Sequence, residues 1–188
     1  MSFAPNFKPR NAPAAIPDGA KNLPARQTSS RDNAANLVSS FGMTEEVLQA
    51  IPHRPPFLFI DKVVETRDNG IVCSRAFRAD EKFYEGHYPN APLTPGVLLC
   101  ESVFQAAAIF LVKKARASGD ADFAKRTPVL CRIENAKFKG MVFPGDEILI
   151  EVKEIEKLSG FYYMSGNASC AGKPVLQIKF ALAMLEKK

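Results

Sequence analysis

Tryptophan is missing from the 188-residue chain, histidine occurs twice, and no segment reads as a secretory leader. Aromatic packing therefore falls to 14 phenylalanines, and any imidazole chemistry rests on His53 or His87. The four cysteines, Cys73, Cys100, Cys131 and Cys170, stand too far apart for a zinc-binding spacing. Each lies in an apolar or strand-like stretch, so free buried thiols in a reducing compartment are expected. The first residues have no apolar h-region, and no unbroken run of about 18 apolar residues announces a transmembrane helix. A cytoplasmic location without a membrane span is the expectation. The net charge is +5, with Lys and Arg scattered among acids rather than gathered in a stripe. That distribution argues against a dedicated nucleic-acid binder and suits an acidic protein partner or an anionic ligand.

Residues 1–42 differ from the rest. The first forty hold five prolines and no Glu, and Lys8, Arg10, Lys21, Arg26 and Arg31 outnumber Asp18 and Asp32. Without an apolar period this stretch is expected to be a flexible extension. The folded body is expected over 43–188. Thr44 ahead of Glu45-Glu46-Val47 reads as a helix cap, and that short helix must stop before Pro52. Phe57 to Glu65 reads as a strand. Asp68-Asn69-Gly70 is a hairpin signal, with a partner strand from Ile71. After a loop rich in Gly and Pro, one long helix spans about Pro95 to Ala117 and ends at Gly119. It is apolar nearly all round, so it must be buried on most sides.

Four further strands follow. They are Val129 to Phe138, Asp146 to Glu156, Phe161 to Cys170, and Val175 to Leu185. The second alternates cleanly, with Ile148, Ile150 and Val152 on one face. About six strands joined as hairpins make an antiparallel sheet with one face to bury. The single apolar helix supplies the partner for that face. The expected class is α+β, a curved sheet wrapped around one long helix, with free sheet edges that invite a second subunit.

Three parts near the start of that helix carry chemistry. Glu101 is the only charged residue between Pro95 and Lys113. Burial in an apolar helix would push its pKa upward, as a general acid requires; a structural carboxylate is the alternative. His87, set between Gly86 and Pro89, has an imidazole able to take a proton near neutrality, although a loop histidine is often only a surface residue. Pro95 suits the first helical position. Gly96 and Val97 then offer free backbone N–H groups that can hold a developing oxyanion. A base, an acid and an anion site are what removal of water from a 3-hydroxyacyl thioester needs, and no metal or redox cofactor is required. Gln105 lies one turn beyond Glu101 on the same face, where it could orient the carboxyl or close an interface.

From about Met43 to Leu185 the sequence resembles the 3-hydroxyacyl-[acyl-carrier-protein] dehydratases of the non-isomerising type. Three motifs carry the resemblance. They are Ile51-Pro52-His53-Arg54-Pro55-Pro56-Phe57-Leu58 with Asp61; Gly86-His87-Tyr88-Pro89 through Pro95-Gly96-Val97-Leu98 to Glu101 and Gln105; and Lys137-Phe138-Lys139 with Pro144-Gly145-Asp146. In the second, His87 and Glu101 stand fourteen residues apart, as in the family.

The resemblance implies a hotdog fold and a dimer whose two sheets join, often assembled further as a trimer of dimers. It implies that His87 of one subunit faces Glu101 of the other beside an acyl tunnel, with Tyr88 and Pro89 supporting the histidine. It implies an acyl carrier protein as partner, for which Arg132, Lys137 and Lys139 are the candidate contacts. His53 falls in the first motif, away from the chemistry, and is expected to be structural. The chain departs from the family pattern at Pro55, Tyr88, Thr94 and Phe104. Thr94 could cap the helix by bonding the N–H of Gly96 or Val97.

Other readings of the same fold remain. A hydratase or thioesterase acting on acyl-coenzyme A would use a similar cavity, though a thioesterase needs a carboxylate that activates water and would leave His87 idle. A non-catalytic subunit that binds acyl chains would have no need to keep both His87 and Glu101.

Overall fold

The structure, a computed structural model, describes residues 42–186. The extension expected over 1–42 therefore lies outside the described residues, except for Gly42. Helix α1 is Glu45–Ala50. Strands β1 (Lys62–Arg67) and β2 (Gly70–Ala76) form the first hairpin, and a 3-10 turn, Lys82–Glu85, follows. Helix α2 runs over Gly96–Ala117. After a second 3-10 turn, Ala121–Lys125, come β3 (Arg126–Phe138), β4 (Glu147–Leu158), β5 (Phe161–Cys170) and β6 (Lys173–Glu186). All neighbours in the six-stranded sheet are antiparallel, in the order β1-β2-β4-β5-β6-β3. The α+β class and the sheet wrapped on one helix are as expected.

Turn chemistry explains the hairpins. Ser159-Gly160 and Ala171-Gly172 all have positive φ, the geometry of the type I′ turn whose twist matches its flanking strands. Helix α2 stops in a Schellman arrangement: Gly119 is at φ 69, Asp120 N–H donates to Ala115 O, and Gly119 N–H donates to Arg116 O. On β4, Ile148, Ile150 and Val152 face inward, fully buried. Opposite them Val103, Ala106, Ala107 and Ile109 of α2 are also fully buried. Each large aliphatic side chain so buried stabilises the fold by about 1.5–3 kcal/mol. At one crossing a helix side chain rests on bare strand backbone: a Cβ on Gly166 of β5 would collide with the Val103 side chain of α2.

By length and hydropathy alone α2 could cross a membrane, although Glu101, Ser102 and Gln105 break its apolar run. Of its apolar window 67% is buried inside the protein, as befits a core helix. Two expectations need correction. Phe57 to Asp61 is not strand; β1 begins only at Lys62. Leu58, Phe59 and Ile60 are buried in succession, which a strand with one wet face cannot do. The Phe59 N–H bonds the Gln105 side chain instead of a neighbouring strand. The cysteines are all free, but only Cys73 and Cys100 are buried; Cys131 is exposed and Cys170 intermediate. Cys131 sits on β3, an edge strand that α2 leaves largely uncovered.

Candidate active site

Gln105 is 1% exposed and uses its amide fully. Its Oε1 accepts from Phe59 N–H at 2.8 Å, and its Nε2 donates to Phe57 O at 3.1 Å and to Glu101 Oε1 at 2.9 Å. The same side chain thus staples the 57–59 segment to α2 and holds one carboxyl oxygen of Glu101. Glu101 itself is not sealed within one chain, as an all-round apolar helix had suggested; its side chain is 23% exposed. It shares a helix face with Val97, which is 72% exposed, and the sheet does not reach that face.

His87 follows the 3-10 turn Lys82–Glu85 and is half-buried. Its N–H donates to Phe83 O, and its Nδ1 lies 2.7 Å from Leu93 O. A carbonyl only accepts, so Nδ1 carries the proton and a neutral ring leaves Nε2 as a bare acceptor. Tyr88 packs edge-on against His87, with ring centroids 4.6 Å apart. Its φ of 55° is rare for a residue with a side chain, and held strain of this kind clusters at working sites. Pro89 is exposed beside it.

At the mouth of α2, Pro95 is the cap residue rather than the first helical one, and no side chain caps the helix. The first helical bonds run from Leu98 and Leu99 to Pro95 O, ahead of which lie the amides of Gly96 and Val97. Thr94 does not take either amide: its Oγ1 meets Tyr84 Oη at 2.6 Å. At Gly96 a neighbouring ring leaves little room for a side chain. A Cβ there would lie 2.9 Å from the Phe138 ring. Thr44 stands at the cap of α1, also without a side-chain bond, and its hydroxyl is buried unpartnered.

Within one chain no ion pair or hydrogen bond joins His87 to Glu101; the imidazole that comes near the carboxyl is that of His53, with Nε2 3.8 Å from Oε1. Sequence reasoning had set His53 apart from this group. The signal that could have found it is the Gln105 staple, which draws the segment after His53 onto α2. Arg132, Lys137 and Lys139 are all exposed. Arg132 lies 3.7 Å from Glu134, whereas Lys137 and Lys139 flank Phe138, the residue packed on the helix mouth. Among the described residues no cluster of metal-ligating side chains occurs.

A six-stranded antiparallel sheet wrapped on one long helix is the hotdog fold. The chain belongs to the FabA-like domain family, whose model matches residues 51–179. It is 36% identical over 144 residues to the 3-hydroxyacyl-[acyl-carrier-protein] dehydratase FabZ of Clostridium perfringens, covering 73% of this chain and 96% of that protein. The enzyme of the same name from Anaeromyxobacter is 34% identical over 154 residues, covering 81% and 96%. Among solved structures, the dehydratase heterocomplex ApeI:P of Xenorhabdus doucetiae shares the fold with a TM-score of 0.63 at 17% identity, covering 76% of this chain and 91% of that one. A hypothetical thioesterase from Streptococcus pneumoniae, solved with coenzyme A, shares it with a TM-score of 0.51 at 11% identity, covering 80% and 98%.

Proposed function

We propose that this chain dehydrates (3R)-3-hydroxyacyl-[acyl-carrier-protein] to the trans-2-enoyl form in fatty acid biosynthesis, as a hydro-lyase without a cofactor. His87 Nε2 takes the proton from C2, and the Gly96 and Val97 amides hold the charge that builds on the thioester oxygen. Glu101 then gives its proton to the C3 hydroxyl. The C2–H and C3–O bonds break, the C2=C3 bond forms, and water leaves. The observation that carries this reading is the Nδ1 contact to Leu93 O. It commits the ring to a tautomer whose other nitrogen can only act as a base.

The acid reaches that base from a second copy of the chain. Two features support a joined-sheet dimer: the separation of His87 from Glu101 within one chain, and the uncovered β3 edge, where Val129, Leu130, Ile133 and Phe138 are exposed. A trimer of such dimers and a cytoplasmic location belong to the same reading. Lys137 and Lys139, beside the helix mouth, are the favoured contacts for the acidic carrier, ahead of the paired Arg132.

A dehydration assay with carrier-linked 3-hydroxyacyl chains of graded length tests the proposal. His87→Ala is expected to cut turnover by about 100-fold or more, the scale of a lost general base; unchanged turnover removes His87 from that role. Glu101→Gln, which keeps the Gln105 bond but has no acidic proton, is expected to impair water release while the dimer persists. A free acid product instead of the enoyl thioester would make the chain a thioesterase.

A further inference from the structure

The loop that carries His87, residues 86–94, is held at its base by side chains. Most of the loop is exposed or half-buried, but the residues at its two roots are buried: Tyr84 is 6% and Thr94 3% exposed. Their hydroxyl oxygens lie 2.6 Å apart. Just above, His87 Nδ1 meets Leu93 O, so two rungs close the loop, one of which belongs to the imidazole itself. Each root is anchored further. The Thr94 N–H donates to Val142 O at 2.9 Å. Tyr84 N–H donates to Glu81 O, and the Glu81 carboxylate accepts from the Arg78 N–H and from the guanidinium of Arg75, a residue only 2% exposed. Burial pushes the Tyr84 phenol up to about 12, so it keeps its proton across any working pH.

Thr94 immediately precedes Pro95, the cap of α2. The hydroxyl pair therefore ties the turn that leads into His87 to the residue that leads into Gly96 and Val97. An apolar pair could fill the same volume, but only a hydrogen bond fixes length and direction there. Burial of the two hydroxyls is tolerated because one donates to the other.

We propose that the Tyr84–Thr94 hydroxyl pair is a positioning strut that sets the placement of the His87 imidazole relative to the amides of Gly96 and Val97. The inference rests on the dehydratase reading for its kinetic consequence. Neither hydroxyl is open to a substrate, so the strut acts on turnover rather than on binding. Misplacement of reacting groups by a fraction of an ångström slows chemistry without changing the surface that recognises the acyl carrier.

The test uses the full-length chain with Tyr84→Phe, Thr94→Val, their combination, and the conservative Thr94→Ser. Two readouts are taken: kcat and KM on a carrier-linked 3-hydroxyacyl substrate, and 15N NMR of the imidazoles, of which the chain has two. His53 serves as the internal control. Tyr84→Phe and Thr94→Val are each expected to lower kcat about tenfold with KM within about twofold. The double variant is expected to match the singles, and Thr94→Ser to retain most of the parent rate. The His87 ring signals are expected to show tautomer averaging or exchange broadening in Tyr84→Phe, while those of His53 stay in place. Losses that multiply in the double variant, or His87 signals that do not move, overturn the strut. If the parent chain releases no enoyl product, the dehydratase reading falls, and the imidazole signals alone then decide the strut. Should Thr94→Val fail to fold, Tyr84→Phe carries the same test.

Discussion

The two edges of the sheet, β1 and β3, face the same problem with opposite sequences. β1 is six residues long, breaks its register with β2 between Val63 and Glu65, and carries Lys62, Glu65 and Arg67. Arg67 bonds both Glu65 and Glu151, which covers the edge with charge. β3 is thirteen residues long, is exposed over nearly its whole length, and shows Val129, Leu130, Ile133 and Phe138 to solvent. Charge and brevity are how an edge avoids pairing; irregularity does not separate the two, because β3 also breaks its register with β6, at Leu130/Arg132 and at Ile133/Asn135. An edge that is long and apolar, and that also ends on the mouth of the candidate active site, has the character of an interface.

The comparison can be broken. Its largest expected effect comes from Ile133→Lys, which sets a charge on the open edge. The proposed dimer is expected to dissociate and turnover to fall with it, because the proposed acid and base come from different subunits; light scattering and the dehydration assay read the two together. A dimer that survives with full activity would place the partner elsewhere. A smaller effect, on stability alone, is expected inside the β1 edge. Asp61 accepts from Arg75, Arg78 and the Ala76 N–H, and Arg75 lies between Phe59 and Phe77. Asp61→Asn removes one of the two carboxylates that meet the buried Arg75 guanidinium, Glu81 remaining, a loss of about 1–3 kcal/mol measurable by urea unfolding. The smallest effect is expected from Val64→Lys. Val64 is 52% exposed on an edge already charged, so stability should move by about 0.5 kcal/mol at most, with the dimer intact. A Val64→Lys variant that dissociates would reverse the assignment of the two edges.

Local pattern revealed most of the fold. The apolar run of α2, the alternation on β4 and the Gly-bearing turns at 160 and 172 are each properties of a short window, and each appears where the sequence put it. What stayed hidden was set by partners distant in the chain. Phe57 to Asp61 has strand composition, but the Gln105 side chain, 46 residues from Phe59, claims its amide. Thr94 stands where a cap would stand, yet Tyr84 takes its hydroxyl.

The placement of the candidate residues was legible in part. His87, Glu101, Gly96 and Val97 announce themselves by residue type next to a helix start, and Gln105 by its helical spacing. The exposure of Glu101 and the nearness of His53 are invisible to spacing, because one depends on which face of α2 the sheet leaves open and the other on a staple made by a side chain. The exposure of Cys131 is likewise a consequence of strand order, which places β3 at an edge.

The order of the elements also shapes the birth of the chain. Helix α2 leaves the ribosome before β4, β5 and β6, the strands that roof it. At about 5–20 residues per second, its greasy surface stands uncovered for several seconds while the remaining strands are made. During that interval the segment has the hydropathy of a membrane span and only α1 and the first hairpin to cover it. Synthesis of this protein is therefore expected to lean on chaperones that shield apolar helices until the last hairpin arrives.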